Sequence, residues 1–146
     1  MTWLYRGQVI EQLPDEIIGF VYMITNNVTG KMYIGKKLAK FAKTKQKTVT
    51  LKSGEKKKKK IRTYEESDWK TYWSSSEELK KDVATHGEES FTREILHYCN
   101  SKGVLSYMEL REQMNRKVLE NTDYYNGIVQ VKIHKSHVFG KLPLDI

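Results

Sequence analysis

A short hairpin pattern near the N-terminus constrains the fold more than any other feature of the chain. Residues 19–25 and 31–35 alternate and are rich in β-branched and aromatic types, and the segment NNVTG between them is typical of a turn. If Asn26 pairs with Lys31 around a four-residue loop, Tyr22, Tyr33 and Gly35 share one face of the hairpin. A five-residue loop would instead place the two tyrosines on opposite faces. On a shared face, Gly35 would leave space beside both phenols.

The rest of the sequence predicts two helices and two further strands around this hairpin. Overlapping capping patterns at Ser74–Glu77 and Ser75–Glu78 predict a helix that ends at Gly87. Alternation predicts strands over residues 91–99 and 128–133, and apolar residues at helical spacing predict a long helix over residues 104–120. The predicted fold class is α/β, with a small central, mainly antiparallel β-sheet flanked by helices.

The segment 38–63 differs from its surroundings because it consists largely of lysine and threonine. We interpret it as an exposed, mobile insertion. The length of 146 residues fits one domain, 1–146, with a core over about 17–127 and a C-terminal strand and tail over 128–146.

A net charge of +8 favours a polyanionic partner, either nucleic acid or an anionic membrane. No apolar run reaches the roughly 18 residues of a membrane span, and the lysine run lacks interleaved apolar residues, so we expect a cytoplasmic protein without a membrane partner. The single cysteine, Cys99, excludes an internal disulfide and a cysteine-based zinc cluster within one copy, and the four histidines show no zinc-ligand spacing. We expect no small-molecule cofactor.

Two segments of the hairpin carry a resemblance to a known family. Phe20-Val21-Tyr22 followed by Tyr33-Ile34-Gly35 resembles the paired GIY and YIG segments of the GIY-YIG endonucleases, with Phe-Val-Tyr in place of Gly-Ile-Tyr. The similarity continues in order through the serine-rich cap, the strand 91–96, the long helix and Tyr125-Asn126, and so covers residues 19–126. Within this family, the chain resembles a phage-type, stand-alone nuclease domain. Such proteins would act in the cytoplasm of the host cell.

The resemblance implies a metal-dependent DNA endonuclease that hydrolyses phosphodiester bonds with Mg²⁺ or Mn²⁺. It places Tyr22 and Tyr33 around the attacking water, where they would orient or deprotonate it. It places the metal on a helical glutamate, for which Glu109 is the best match and Glu112 the rival. Without the family, Glu109 could equally be a capping-box partner of Ser106. Asn126 would hold the active-site backbone or a phosphate; its alternative role is that of a turn residue.

Members of the family usually supply an arginine from a helix after YIG, and this chain presents the lysine-rich insertion there instead. The available cations are Lys36, Lys37, Arg62 and Lys70. We favour Lys70 as the catalytic cation because it lies just before the serine-rich cap, where that helix would end. A nuclease domain without a working catalytic cation would be a nucleic-acid-binding module, which is the competing hypothesis.

The insertion and the residues after YIG would also bind DNA phosphates without sequence information. The residues predicted to do so are Lys36, Lys37, Lys56, Lys57, Lys58, Lys59, Lys60 and Arg62. Trp69, Tyr72 and Trp73 could stack on bases, but three aromatic residues so close together are more typical of core anchors. The alternative for the lysine run is a solvated loop that orders only on DNA. Homodimerisation would explain double-strand cutting.

Overall fold

Five strands form the central sheet of the computed structural model, which describes residues 2–142. These strands lie in the order β2–β1–β7–β3–β4, and β4 is an edge strand. All pairs are antiparallel except β1 and β7, which confirms a mainly antiparallel sheet. The strands are β1 Trp3–Tyr5, β2 Gln8–Ile10, β3 Gly19–Asn26, β4 Met32–Leu38 and β7 Phe91–Cys99.

The two helices cover opposite faces of this sheet. Helix α1, Glu77–His86, buries Leu79 among the aromatic residues on one face, and helix α2, Lys102–Asn115, packs Val104, Leu105 and Met108 on the other. The resulting three layers confirm the predicted α/β class. They also separate the molecule into an aromatic core beside the tyrosine face of the hairpin and an aliphatic core beneath α2.

Helix boundaries differ from those predicted at three ends. Helix α1 begins after Ser76, whose hydroxyl accepts from the Leu79 amide at 3.3 Å, so neither predicted capping box forms the N-cap. Helix α2 begins after Ser101 instead of at Val104. It ends at Asn115, five residues before the predicted end, and Lys117 then adopts a left-handed φ of 54° that turns Val118 into the aliphatic core.

Most of segment 38–63, which we interpreted as an exposed, mobile insertion, forms regular secondary structure. Strands β5, Lys40–Thr50, and β6, Lys56–Glu66, pair along their whole length as a separate two-stranded sheet. Threonine and valine between the lysines supply β propensity, and Gly54 with φ of 85° makes the turn. Nearly all side chains of this β5–β6 ribbon are exposed, as predicted.

The predicted C-terminal strand is also wrong, since residues 128–133 form no strand in the structure. Their alternation has another cause. Val129 packs against the aliphatic core, while Val131 and Ile133 line a groove of about 470 Å³ with Tyr107 and Leu110 of α2. The apolar residues thus lie along a helix instead of pairing with a sheet edge. Residues 143–146 of the predicted tail lie outside the described residues. Within 2–142, no helix is long and apolar enough to cross a membrane.

Candidate active site

The hairpin register brings the two predicted tyrosines together. The Asn26 amide donates to the Lys31 carbonyl at 2.8 Å, and Tyr22 pairs with Gly35, which confirms the four-residue loop. Tyr22 and Tyr33 therefore share a face, with ring centroids 6.1 Å apart. Tyr22 is fully buried and Tyr33 is half-buried, so the pair extends from the core to the surface.

Gly35 lies directly beneath both phenols. A Cβ at this position would be 2.5 Å from the Tyr22 hydroxyl and 2.7 Å from Cε1 of Tyr33, well inside van der Waals contact. Only glycine lets the strand pass so close to the two rings. The glycine that ends the YIG segment is therefore a packing requirement of the tyrosine cluster.

Tyr72 completes this cluster and was not among the predicted site residues. It follows the short 3₁₀ helix Trp69–Thr71, and its ring is 6.1 Å from that of Tyr22 in an edge-on arrangement. Burial raises the pKa of Tyr22 well above its usual value, and the neighbouring phenol of Tyr72 adds to that shift. Sequence reasoning treated Trp69, Tyr72 and Trp73 as core anchors, which Trp69 is, but a local pattern does not reveal which aromatic residue turns toward a distant hairpin.

Arg93 of β7 holds the segment that carries Tyr72. Its Nη1 donates to the carbonyl oxygens of Lys70 at 3.1 Å and Tyr72 at 2.9 Å. The guanidinium carbon lies 4.7 Å from the Trp3 ring centroid and 4.3 Å from that of Trp73. Burial lowers the pKa of Arg93 to about 10, so the side chain remains charged at neutral pH. Arg93, which lies between two aromatic rings, thus holds the backbone of the segment at two points, Lys70 and Tyr72.

Glu109 reaches the tyrosine cluster from the other face of the sheet. Helix α2 packs on the aliphatic side, but its Glu109 carboxylate acts electrostatically on the cluster: burial is the main cause that raises the pKa of Tyr22, Tyr33 and Tyr72, and Glu109 adds a smaller contribution to each. Strand β4, which carries Tyr33, is the last strand of the sheet, so no further strand separates the helix side from the tyrosine side there. Burial raises the pKa of Glu109 itself, and the neighbouring Lys36 opposes that shift.

The alternative reading of Glu109 as a cap is wrong, because the N-cap of α2 is Ser101 and Glu109 lies in the middle of the helix. Ser106 instead accepts a hydrogen bond from Lys36 Nζ at 2.8 Å. The half-buried carboxylate of Glu109 therefore has no capping function that would account for its position.

The carboxylate of Glu112, the alternative metal ligand, is already bonded to two other side chains. Its Oε1 lies 2.7 Å from His97 Nε2, and its Oε2 accepts from Arg116 Nε at 2.8 Å. Hydrogen bonding by His97, followed by that of Arg116, lowers the pKa of Glu112 to about 2. Both carboxylate oxygens of Glu112 are thus engaged within the fold. Glu112 therefore has a structural role, whereas Glu109 lacks such partners among the contacts described above.

This ion-pair network predicts acid lability. Because the pKa of Glu112 in the folded state, about 2, lies below its unfolded value, its stabilisation is complete above pH of about 4.5 and is lost as the pH falls toward 2. We expect Glu112→Gln to remove up to about 3 kcal/mol at pH 7 and less at pH 3. Urea unfolding at pH 7, 5, 4 and 3 measures the difference from wild type. Glu120→Gln, at an exposed glutamate, is the control, and a difference that does not shrink in acid would contradict the assignment.

Lys37, not Lys70, is the lysine that contacts the tyrosine cluster. Lys37 Nζ lies 4.1 Å from the Tyr72 ring centroid and 2.5 Å from Asp68 Oδ1, and this hydrogen bond lowers the pKa of Asp68. Lys70 is exposed, with Nζ 5.7 Å from the Trp69 ring centroid, and lines a groove with Trp3 and Ile10 on the β1–β2 side. The position of Lys70 therefore does not support the role predicted for it.

Asn126 holds the backbone of β4. Its Oδ1 accepts from the Ile34 amide at 3.0 Å, and its Nδ2 donates to the Ile34 carbonyl at 2.8 Å. Gln113 Nε2 donates to the same carbonyl at 3.2 Å. An edge strand leaves these groups unpaired, and the amide of Asn126 satisfies both of them. Ile34 lies between Tyr33 and Gly35, so this contact holds the backbone of β4 at the cluster. Holding this backbone is one of the roles predicted for Asn126.

The residues predicted to bind nucleic acid divide between two places. Lys36 and Lys37 lie beside the tyrosine cluster, on opposite faces of β4. The others are on β6, and all of them are exposed: Lys56, Lys57, Lys58, Lys59, Lys60 and Arg62.

With this geometry in place, comparison with known families is decisive. Over residues 3–129, the sequence matches the family model SegE_GIY-YIG, described as "Putative endonuclease segE, GIY-YIG domain". The chain belongs to the GIY-YIG endonuclease family. The match covers most of the 146 residues, including the β5–β6 ribbon. No curated protein and no solved structure matches the sequence significantly.

Two acidic side chains act on the tyrosine cluster of this GIY-YIG domain, and because Asp68 is paired with Lys37, Glu109 is the one that could hold a metal. In residues 2–142, no group of three or more histidine, cysteine, aspartate or glutamate side chains is positioned to hold an ion. Mg²⁺ differs from zinc and calcium because it is commonly bound through one or two carboxylates and keeps several waters and phosphate oxygens. The half-buried carboxylate of Glu109 beside three phenols fits such a site.

The GIY-YIG domain departs from the expected arginine for a structural reason. Strand β4 continues through Ala39 directly into β5, so the chain enters the ribbon where a helix was expected from the family. The described segment between β4 and the 3₁₀ helix at Trp69 contains no helix. The lysines near the cluster are Lys36 and Lys37, which belong to β4 itself.

Proposed function

We propose that this protein is a metal-dependent endonuclease that hydrolyses phosphodiester bonds in DNA. The observation that carries the proposal is the cluster of Tyr22, Tyr33 and Tyr72 at Gly35, together with the half-buried carboxylate of Glu109, which acts electrostatically on all three phenols. These residues come from a hairpin, a loop and a helix on the other face of the sheet. Packing alone gives no reason to direct a half-buried carboxylate toward three phenols, because burial of its charge is unfavourable.

The phenols suit positioning of water better than removal of a proton. Burial raises the pKa of Tyr22 well above its usual value and also raises those of Tyr33 and Tyr72, so all three are neutral at physiological pH. Tyr33 is the most accessible predicted member, and its hydroxyl lies 3.1 Å from Ser75 Oγ. We assign to Tyr33 the orientation of the attacking water through its phenol oxygen, and to Tyr22 and Tyr72 the support of that orientation.

Charge at the scissile phosphate would come from Lys36, Lys37 and a metal on Glu109. Magnesium or manganese, when bound, supplies a Lewis acid that neutralises phosphate charge and activates water. Lys37 Nζ is held by Asp68 over the Tyr72 ring and is a point charge beside the cluster. Lysine lacks the bidentate fork of arginine, so it provides charge with less geometric constraint. Asn126 acts through the backbone of Ile34 and keeps β4 in place.

A second candidate is a nucleic-acid-binding module with weak or no catalysis. One observation favours it, namely that the charge of Lys37, which lies over the Tyr72 ring, is already paired with Asp68. This candidate retains the basic ribbon but assigns no reaction to Glu109.

We expect the purified protein to nick or linearise supercoiled plasmid in Mg²⁺ or Mn²⁺ and to do neither in EDTA. An identically purified Glu109→Gln protein controls for contaminating nucleases. Salt-sensitive binding of duplex DNA without cleavage in either metal, on plasmid and on a pool of genomic fragments, would favour the binding module. Cleavage that survives EDTA would contradict the metal dependence.

A further inference from the structure

The whole net charge of the protein lies on the β5–β6 ribbon. Residues 40–66 contain eleven of the 26 basic residues and three of the 18 acidic residues, which gives this segment +8. The remainder of the chain has fifteen of each sign and is neutral. A field concentrated in this way on one projecting element indicates where a polyanion binds.

The acidic residues of the ribbon do not offset this charge along its length. Glu65 pairs with Lys43 at 2.8 Å, and Glu66 accepts from Trp69 Nε1 at 2.9 Å, so both are engaged where the ribbon joins the sheet. Between Thr44 and Arg62 the only acidic residue is Glu55, next to the turn. Like charges such as Lys47 and Lys59 face each other directly across the strands, which is unfavourable until an anion lies between or over them.

The pairing sorts the side chains of the ribbon onto two chemically different faces. Residues directly opposite each other share a face, and successive residues alternate. We call the two sets the even face and the odd face after their residue numbers. On the even face, the cross-strand pairs from Thr44 to the turn are Thr44 with Arg62, Gln46 with Lys60, Thr48 with Lys58, and Thr50 with Lys56, while Ala42 with Tyr64 and Lys40 with Glu66 lie nearer the central sheet. On the odd face they are Lys43 with Thr63, Lys45 with Ile61, Lys47 with Lys59, and Val49 with Lys57.

Every side chain in the even-face pairs from Thr44 to the turn can form hydrogen bonds, whereas the odd face includes Ile61 and Val49. Arginine and lysine bond guanine, glutamine bonds adenine, and threonine bonds either or contacts the thymine methyl group in the major groove. A row of threonine and glutamine opposite a row of lysine and arginine is therefore suited to base edges. Lysines on the odd face suit phosphates alone.

The dimensions of the ribbon also match the major groove. That groove is about 12 Å wide and admits a two-stranded β-ribbon. Each strand has 11 residues and spans about 36 Å, roughly one turn of B-DNA. The ribbon is continuous with β4, whose Lys37 contacts both Phe41 of the ribbon and Tyr72 of the cluster. DNA held by the ribbon would thus lead to the tyrosine cluster.

We propose that the β5–β6 ribbon lies in the major groove of duplex DNA with its even face on the base edges, and gives the protein a sequence preference. This inference deepens the proposed nuclease function and rests on it for the identity of the polymer. The odd face adds phosphate contacts that do not depend on sequence.

The test is binding selection in EDTA from duplexes with a randomised window, followed by sequencing of bound and unbound fractions. Because EDTA removes the metal, the readout does not require cleavage, and its failure is distinct from failure of the nuclease assay. We expect wild type to enrich a motif, and Gln46→Ala/Thr48→Ala to reduce that enrichment by about 5- to 100-fold at the affected positions. This neutral variant should leave the salt dependence of binding unchanged.

Two further double variants separate the faces. Lys58→Ala/Lys60→Ala and Lys57→Ala/Lys59→Ala remove equal charge from neighbouring positions of one strand. We expect the even-face pair to relax the motif, and the odd-face pair to weaken binding to all sequences while keeping the motif. Circular dichroism and thermal unfolding check that the central sheet is intact in each protein.

Three results would overturn the proposal. They are binding without any enriched motif, an unchanged motif in Gln46→Ala/Thr48→Ala, and loss of the motif in Lys57→Ala/Lys59→Ala but not in Lys58→Ala/Lys60→Ala. The first would reduce the ribbon to a phosphate-binding arm, and the third would assign the base contacts to the odd face.

Discussion

Replacement of Glu109 by glutamine is expected to reduce DNA cleavage by at least about a thousandfold while the protein stays folded. Loss of a positioned charge at a reacting phosphate costs several kcal/mol of transition-state stabilisation, and each 1.4 kcal/mol is tenfold in rate. Glutamine has nearly the same shape, so packing around the site is retained. Because burial raises the pKa of Glu109, its charged form is disfavoured in the folded state, and the neutral amide should leave stability unchanged or slightly higher.

The matched control is Glu112→Gln, one helical turn away. This variant breaks the contacts to His97 and Arg116 and should lose stability, but its folded fraction should cleave DNA within about threefold of wild type. Binding of Mn²⁺, followed by its electron paramagnetic resonance signal, gives a second readout, and only Glu109→Gln should lose it. If Glu112→Gln were the inactive variant instead, the metal ligand would have to be reassigned.

The contrast between these glutamates also shows what local sequence can predict. The hairpin register follows from a loop length and an alternation, both encoded within residues 19–35, and it places Tyr22 beside Tyr33 as predicted. Glu109 and Glu112 are one turn apart on one helix, and local pattern does not distinguish them. Their roles differ because His97, from a strand distant in sequence, reaches only Glu112.

The residues that sequence analysis missed depend on tertiary contacts. Tyr72 reaches the cluster because Arg93, 21 residues later, holds its backbone. Lys37 reaches it because Asp68 and the Tyr72 ring lie next to the end of β4. The sequence predicts no strand in the ribbon because lysine is a poor strand former, although cross-strand pairing overrides that preference.

The prediction of a C-terminal strand was wrong for a different reason. The apolar alternation of residues 128–133 is real, but these residues lie beside a helix and do not pair with a strand. Alternation predicts one side that lies against the protein, and here Val129 packs on the aliphatic core while Val131 and Ile133 line a groove beside α2. The edge of β4 is occupied by the segment before Asn126, where the Met32 amide donates to the Asp123 carbonyl and the Tyr125 amide to the Met32 carbonyl. Periodicity predicts a buried side, but not the element that buries it.

A second large effect is expected from Gly35→Ala, which adds one methyl group beneath the tyrosine cluster. The new Cβ would lie 2.5 Å from the Tyr22 hydroxyl and 2.7 Å from the Tyr33 ring, so at least one phenol must move. Tyr22 is fully buried and cannot move freely, so we expect a loss of about 1–3 kcal/mol in unfolding free energy. A displacement of about 1 Å at a catalytic group can cost a hundredfold, so cleavage by the folded fraction should fall about that far.

Two alanine substitutions separate the parts of this effect. Gly127→Ala adds a methyl group in open space and should change neither stability nor cleavage. Gly19→Ala brings its Cβ to 2.5 Å from the Lys37 carbonyl oxygen and 2.7 Å from Leu105, away from the phenols, so it should destabilise with a smaller effect on cleavage. Urea unfolding and plasmid cleavage, corrected for the folded fraction, measure both quantities. If Gly35→Ala cleaved DNA at the wild-type rate, the positions of the phenols would not limit the reaction, and the orienting role of Tyr33 would have to be abandoned.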